Sequence, residues 1–192
     1  MLILLNRPSN VPVPRQATRA SMLQCQPSKW STCCANWKNN ITLFAEADVS
    51  SSRTNARRNA VQAIYQWQLT GQDVDNIDSQ FISEHDMSDV DVQYFEELLQ
   101  QIPLHLHELD DHIIDFLDRK IDEVDPVERA ILRIGAYELE FRKDVPYKAI
   151  INEAIELAKT FGAEHGHKYV NSVLDKVAHK LRDDEIKQKS KR

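Results

Sequence analysis

Glycine is scarce in this chain. Its 192 residues contain four glycines, all beyond residue 70. No GxGxxG or P-loop pattern occurs, so nothing in the sequence brings a row of backbone amides around a phosphate. Cysteine is as sparse: Cys25, Cys33 and Cys34 form one adjacent pair and a distant third. That spacing supplies neither a four-ligand zinc set nor a disulfide framework. No nucleophile elbow and no HExxH pattern is present. Long apolar runs are missing too, since none approaches the ~18 residues of a membrane span. The opening MLILLNRPSNVPVP has a short apolar burst, no basic residue before it and early prolines, a poor signal peptide. These absences point away from catalysis, cofactors, metal centres and membranes, and toward a cytoplasmic protein.

What is present is a globular composition, 42% hydrophobic and 28% charged. The formal net charge of −6 is unevenly spread. Residues 1–52 hold five Lys/Arg against two Asp/Glu, and the remainder holds 19 against 28. Four of the seven prolines also lie before residue 28. Residues 1–52 scatter Pro, Ser, Asn and Thr without helical or strand period and read as an unstructured extension. An upstream reading of the gene would append such a segment, and Val49, which a GTG start codon could encode, lies just before the patterned region. Residues 53–182 then form the folded domain, and residues 183–192 a charged, frayed tail.

From Arg53 onward the hydrophobic period is helical. Ala60, Ala63, Ile64 and Trp67 make one stripe that ends before Gly71. A short segment, Val74 to Glu84, offers Ile77 and Phe81. Ser88 with Asp91 reads as an N-cap pair opening a long stripe through Phe95, Leu98, Leu99, Ile102, Leu106, Leu109, Ile113 and Phe116. Pro103 either kinks that helix or sits in the first turn of a second. Asp125-Pro126-Val127-Glu128 is a helix start, with Asp as cap, Pro in the first turn and Glu able to reach back. Its stripe is Val127, Ala130, Ile131, Ile134, Tyr137 and Phe141, and Leu132, Ala136 and Leu139 fall off it, so this helix is buried on more than one side. Pro146 starts another helix, which Gly162 ends, and Val170 to Leu181 carry the last. The expectation is an all-α fold of about seven helices.

Three arginines, Arg53, Arg57 and Arg58, crowd the start of the first helix, in RTNARRNAVQAIYQWQ. Cations at a helix N-terminus oppose the macrodipole. A ligand bringing negative charge, such as phosphate, would reverse that balance, and Tyr65 two turns along could stack a base. Against this stands the bland reading of a solvated helix start. An acidic chain with so small a basic patch suits a short single strand of RNA better than a duplex. His105, Glu108 and His112 share a helix face and are metal-ligand types, but no fourth ligand accompanies them, and a polar face opposite the apolar stripe explains them. His165 and His167 are read the same way, so no metal site is assigned.

RRNAVQAIYQWQLTG, DVDVQYFEELL, ERAILRIGAYEL and DVPYKAIINEAIELAKTFGAEHGHKYVNSVLDKV, spread over Arg53 to Leu181, resemble the NusB family of bacterial transcription antitermination factors. Residues 1–52 resemble nothing in it. The resemblance implies two packed helical bundles and no enzyme activity or cofactor. It implies binding to the single-stranded boxA RNA of ribosomal RNA leaders, pairing with the ribosomal protein NusE, and entry into the RNA polymerase antitermination complex with other Nus factors. Carried over by position, it assigns RNA contact to Arg53, Arg57, Tyr65, Arg133, Phe161, Lys168 and Tyr169, and NusE contact to Glu128. Arg58 falls where relatives can carry an acid, and Thr54 and Asn55 where they can carry arginine. Two alternatives stand beside this one: a helical adaptor that binds no RNA, and a detached NusB-like domain of an RNA methyltransferase.

An extension without period contributes no core. Deleting residues 1–52 is expected to move the thermal unfolding midpoint by less than roughly 3 °C, about the shift that 1 kcal/mol produces in a domain of this size. A larger fall would show that the segment packs on the domain.

Overall fold

The helical stripes fold as helices. The computed structural model describes residues 51–190, and every regular element among them is helical. Residues 1–50, with the three cysteines, lie outside the described residues. Helix α1 occupies residues 51–70, followed by α2 (Val74–Glu84), α3 (Val92–Leu104) and α4 (Leu106–Ile114). A 3-10 turn (Ile121–Glu123) leads to α5 (Pro126–Phe141), α6 (Tyr147–Phe161), α7 (Gly166–Leu181) and α8 (Asp183–Ser190). Gly71, at φ 63°, turns the chain out of α1 in the left-handed conformation that favours glycine.

Local chemistry sets the helix ends. Asp125 Oδ1 accepts from the Val127 amide at 2.9 Å and Pro126 takes the first helical position, as expected. Helix α3 is capped by Asp91, whose carboxylate accepts from Tyr94 N at 3.1 Å; Ser88 lies three residues outside it. Pro103 settles into the last turn of α3, and the chain breaks after it at His105. Pro103 gives Leu99 O no N–H, while His105 N still reaches Gln101 O at 3.0 Å, so the last turn of α3 holds up to the break. Residues 183–190 are a helix rather than a frayed tail. Asp183, Asp184 and Glu185 fill its first turn, where carboxylates meet the positive end of the dipole.

Helix α5 is the axle of the structure. It packs against α3 and α4 on one side and α6 and α7 on the other. Its residues Ala130 through Leu139 are buried without interruption, so the off-stripe positions Leu132, Ala136 and Leu139 face protein, as expected. A helix buried all round should carry no charge, yet Arg133 and Glu138 lie within this run.

Each has a partner. Glu138, 1% exposed, accepts from Arg57 Nη2 at 2.7 Å and from Nε at 3.0 Å, and from the Tyr94 hydroxyl. Burial would push the Arg57 guanidinium down, but Glu138 more than reverses this and holds it above its ordinary value. Arg133 is held by both Asp110 oxygens, at 2.9 and 2.8 Å, and by Gln68 Oε1 at 2.6 Å. Helix α1 is thus clipped to α5 at both ends, by Arg57 and by Gln68.

The C-terminus of α5 is closed by Arg182, itself buried. Its guanidinium donates to the carbonyls of Leu139 (2.6 Å), Glu138 (3.0 Å) and Arg142 (2.9 Å). Leu139 O is a carbonyl that the helix end leaves without a backbone donor, while Glu138 O and Arg142 O also accept from the Arg142 and Val145 amides; a cation there complements the dipole. Arg182→Met should therefore cost about 2–4 kcal/mol in urea unfolding. Arg182→Lys should recover under half of that, because an ammonium cannot span the fork of carbonyls. Equal stability of the methionine variant and the parent would contradict the capping role.

Candidate nucleic-acid interface

Helix α1 sorts its residues by face. Ala56, Ala60, Val61, Ala63 and Ile64 are buried, while Arg58, Gln62, Tyr65 and Leu69 form an exposed stripe at helical spacing. The arginine cluster is divided by the same rule. Arg58 points outward in line with Tyr65. Arg57, one residue earlier and 4% exposed, points at Glu138. The expectation that Arg57 reaches RNA phosphates is not tested by this geometry, which places its guanidinium on a buried carboxylate. Arg53 is half-buried; it stands 3.6 Å from Asp91 and 3.5 Å from Asp144, and lies over the Tyr94 ring at 5.3 Å. Arg142 covers that ring as well, at 4.9 Å. Burial and Glu138 push the Tyr94 hydroxyl well above its ordinary pKa, so it stays a donor.

Arg133, also expected at RNA, is likewise turned inward. It is 6% exposed and bidentate with Asp110. It borders a small recess with Trp67, Gln68, Leu106 and Arg129, away from the exposed stripe of α1. Its charge is satisfied inside the protein by Asp110 of α4 and Gln68 of α1, and so it ties both helices to α5.

Tyr65 and Phe161, far apart in sequence, come together. Both line an open groove whose walls come from α1 and α2 and whose floor includes Val61, Phe81 and Val127. Tyr65 is 37% exposed, and Gln62, Gln66 and Gln80 rim the groove. Two aromatic rings on an apolar floor with amide edges offer stacking and hydrogen bonding to bases, and Glu84 is the one carboxylate on the rim.

A second cluster sits at the start of α7. Gly166 approaches the start of α5 so closely that a Cβ there would come within 2.2 Å of Glu128 Oε1, and glycine is what allows this contact. Glu128 therefore turns toward α7 instead of reaching back to cap its own helix. Burial and Asp125 raise its pKa above the usual carboxylate range, and Arg119 partly offsets them. Lys168 is exposed and Tyr169 half-buried on the next turn of α7. Burial and the nearby Asp118 carboxylate raise the Tyr169 hydroxyl above its ordinary pKa, and the Arg119 guanidinium lies over its ring at 5.3 Å. Arg119 carries no helical period, being in the loop before the 3-10 turn, which is why the sequence pattern does not single it out.

His105 hydrogen-bonds Gln101 O through Nδ1 at 3.0 Å and packs on Phe141, so it belongs to its helix junction. No group of three metal-ligand side chains converges among the described residues, and no described helix is long and apolar enough to cross a membrane.

Residues 54–179 match the NusB family. A transcription antitermination protein NusB from Nitrosococcus oceani is 56% identical over 144 residues, covering 75% of this chain and 97% of the relative. The fold matches that of NusB from T. maritima with a TM-score of 0.57 at 30% identity, over 66% of this chain and 89% of that one. It also matches a solved complex of antitermination factors NusB and NusE with double-stranded RNA, with a TM-score of 0.59 at 28% identity, over 65% and 94%. With two thirds of its length matched to the family and more than half of its aligned residues identical to a full-length relative, the chain belongs to the NusB family.

Proposed function

We propose that this protein binds the boxA RNA of ribosomal RNA leaders together with the ribosomal protein NusE, and so lets RNA polymerase, in the antitermination complex with other Nus factors, read through in the cytoplasm. The observation that carries the reading is the groove that Tyr65 and Phe161 both line, with Arg58 in register with Tyr65 on α1. Bases stack on the two rings, and Arg58 and Lys168 meet phosphates. Tyr169 extends the aromatic surface on α7, and Arg53 borders it. Arg57 and Arg133 hold α1 in place from beneath. Glu128, at the junction of α5 and α7, is the contact for NusE. The solved relative pairs NusB and NusE with a duplex. In this chain few cations remain free of carboxylates on the exposed stripe of α1, and that favours a single strand.

Fluorescence titration with a boxA oligonucleotide, single-stranded and as a duplex, with and without NusE, tests this. Tyr65→Ala should cost about 1–3 kcal/mol of RNA affinity and leave the salt slope unchanged. Arg58→Gln should flatten the log–log salt slope by about 0.7. Both variants should melt like the parent by circular dichroism. Unchanged RNA affinity in a folded Tyr65→Ala variant would overturn the stacking role, and absence of boxA binding with or without NusE would leave the adaptor reading.

A further inference from the structure

The pair Asp118–Arg119 lies at the surface against Tyr169, with Asp118 beside the Tyr169 hydroxyl and Arg119 over its ring. Both side chains are about half exposed or more, and they bond to each other as sequence neighbours, through Arg119 Nε at 2.9 Å and Nη2 at 3.0 Å. An exposed pair of this kind contributes little to stability. Its placement is specific, however. The guanidinium lies over the ring of Tyr169, an arrangement that fixes the plane of the fork. The bidentate contact with Asp118 uses two of five N–H donors, and the other three are unspent by any side chain of this pair. Lys120 follows Arg119 in the loop and Lys168 precedes Tyr169, both exposed. A carboxylate accepting from Nε and Nη2 has the geometry with which a phosphate is bound.

We propose that Arg119 is an RNA-phosphate contact, and that Asp118 occupies its fork in the free protein as an internal competitor for that phosphate. The inference rests on the RNA-binding reading above and adds a residue and a device to it. On binding, a backbone phosphate replaces the Asp118 carboxylate on the guanidinium. Arg119 keeps its position over the half-buried Tyr169 ring. The Asp118 carboxylate passes to solvent, which is why the exchange is feasible at a surface. Affinity is thereby held below what the fork could give, and the held-back part depends on one side chain.

Single-stranded boxA RNA is titrated over a range of salt against the full-length parent, Arg119→Gln, Asp118→Ala and the double variant, with a thermal melt of each. Arg119→Gln should lower the log–log salt slope by about 0.7, one single-strand phosphate contact. Asp118→Ala should tighten binding several-fold, and this gain should vanish in the Arg119→Gln background. A gain from Asp118→Ala that persists without Arg119 is generic charge removal and overturns the proposal, as does an unchanged slope for Arg119→Gln. In either case a parent that binds RNA leaves the wider reading standing, whereas a parent that does not bind takes both down.

Discussion

The buried ion pair between Arg57 and Glu138 is the constraint on which the rest depends. Glu138 sits in a helix with protein on every side, where an ionised carboxylate without a counter-charge would cost several kcal/mol. Its counter-ion comes from α1 and its hydroxyl partner, Tyr94, from α3. Three helices far apart in sequence are thereby fixed in register by one carboxylate. Apolar contacts could bring α1 near α5 in several rotations; only one of them presents Arg57 to Glu138. Once that rotation is set, Arg58 faces water, and the stripe Arg58, Gln62, Tyr65, Leu69 is exposed as a consequence.

The same logic recurs along α5. Arg133 takes Asp110 from α4 and Gln68 from α1, and Arg182 from α7's end closes the last carbonyls. The charges inside this domain therefore record which elements touch. They also explain how an acidic chain uses its arginines. Arg57, Arg133 and Arg182 are structural counter-ions or caps, and Arg58 and Arg119 are left at the surface. The groove that Tyr65 and Phe161 line is mostly apolar and amide-edged, and in the function proposed above it would supply recognition with few cations, in keeping with a protein whose basic surface is small.

Much of the fold was legible in the sequence. The α2 span, the Asp125-Pro126 start, the multi-sided burial of α5 and the end of α6 at Gly162 all follow from period and capping chemistry. The α3 cap was misplaced from Asp91 to Ser88, because both are capping residue types and only the backbone decides between them. The helix at residues 183–190 was hidden, since it has almost no apolar stripe and takes its support from dipole and ion pairs. For the candidate interface, the sequence offered residue types and not directions. Arg57 and Arg58 are adjacent letters, and a one-residue step of 100° on a helix puts one in the core and the other in water. Telling them apart needs the position of Glu138, eighty-one residues away. Arg119 was invisible because loops carry no period.

The central claim is that Arg57 and Glu138 are a buried pair that sets α1, and a double-mutant cycle in urea unfolding measures it directly. Arg57→Met and Glu138→Leu should each cost about 3–5 kcal/mol, since each strands a buried charge. The double variant should be more stable than either single one, giving a coupling of at least roughly 2 kcal/mol. Additive losses, with no coupling between the two positions, would contradict the account.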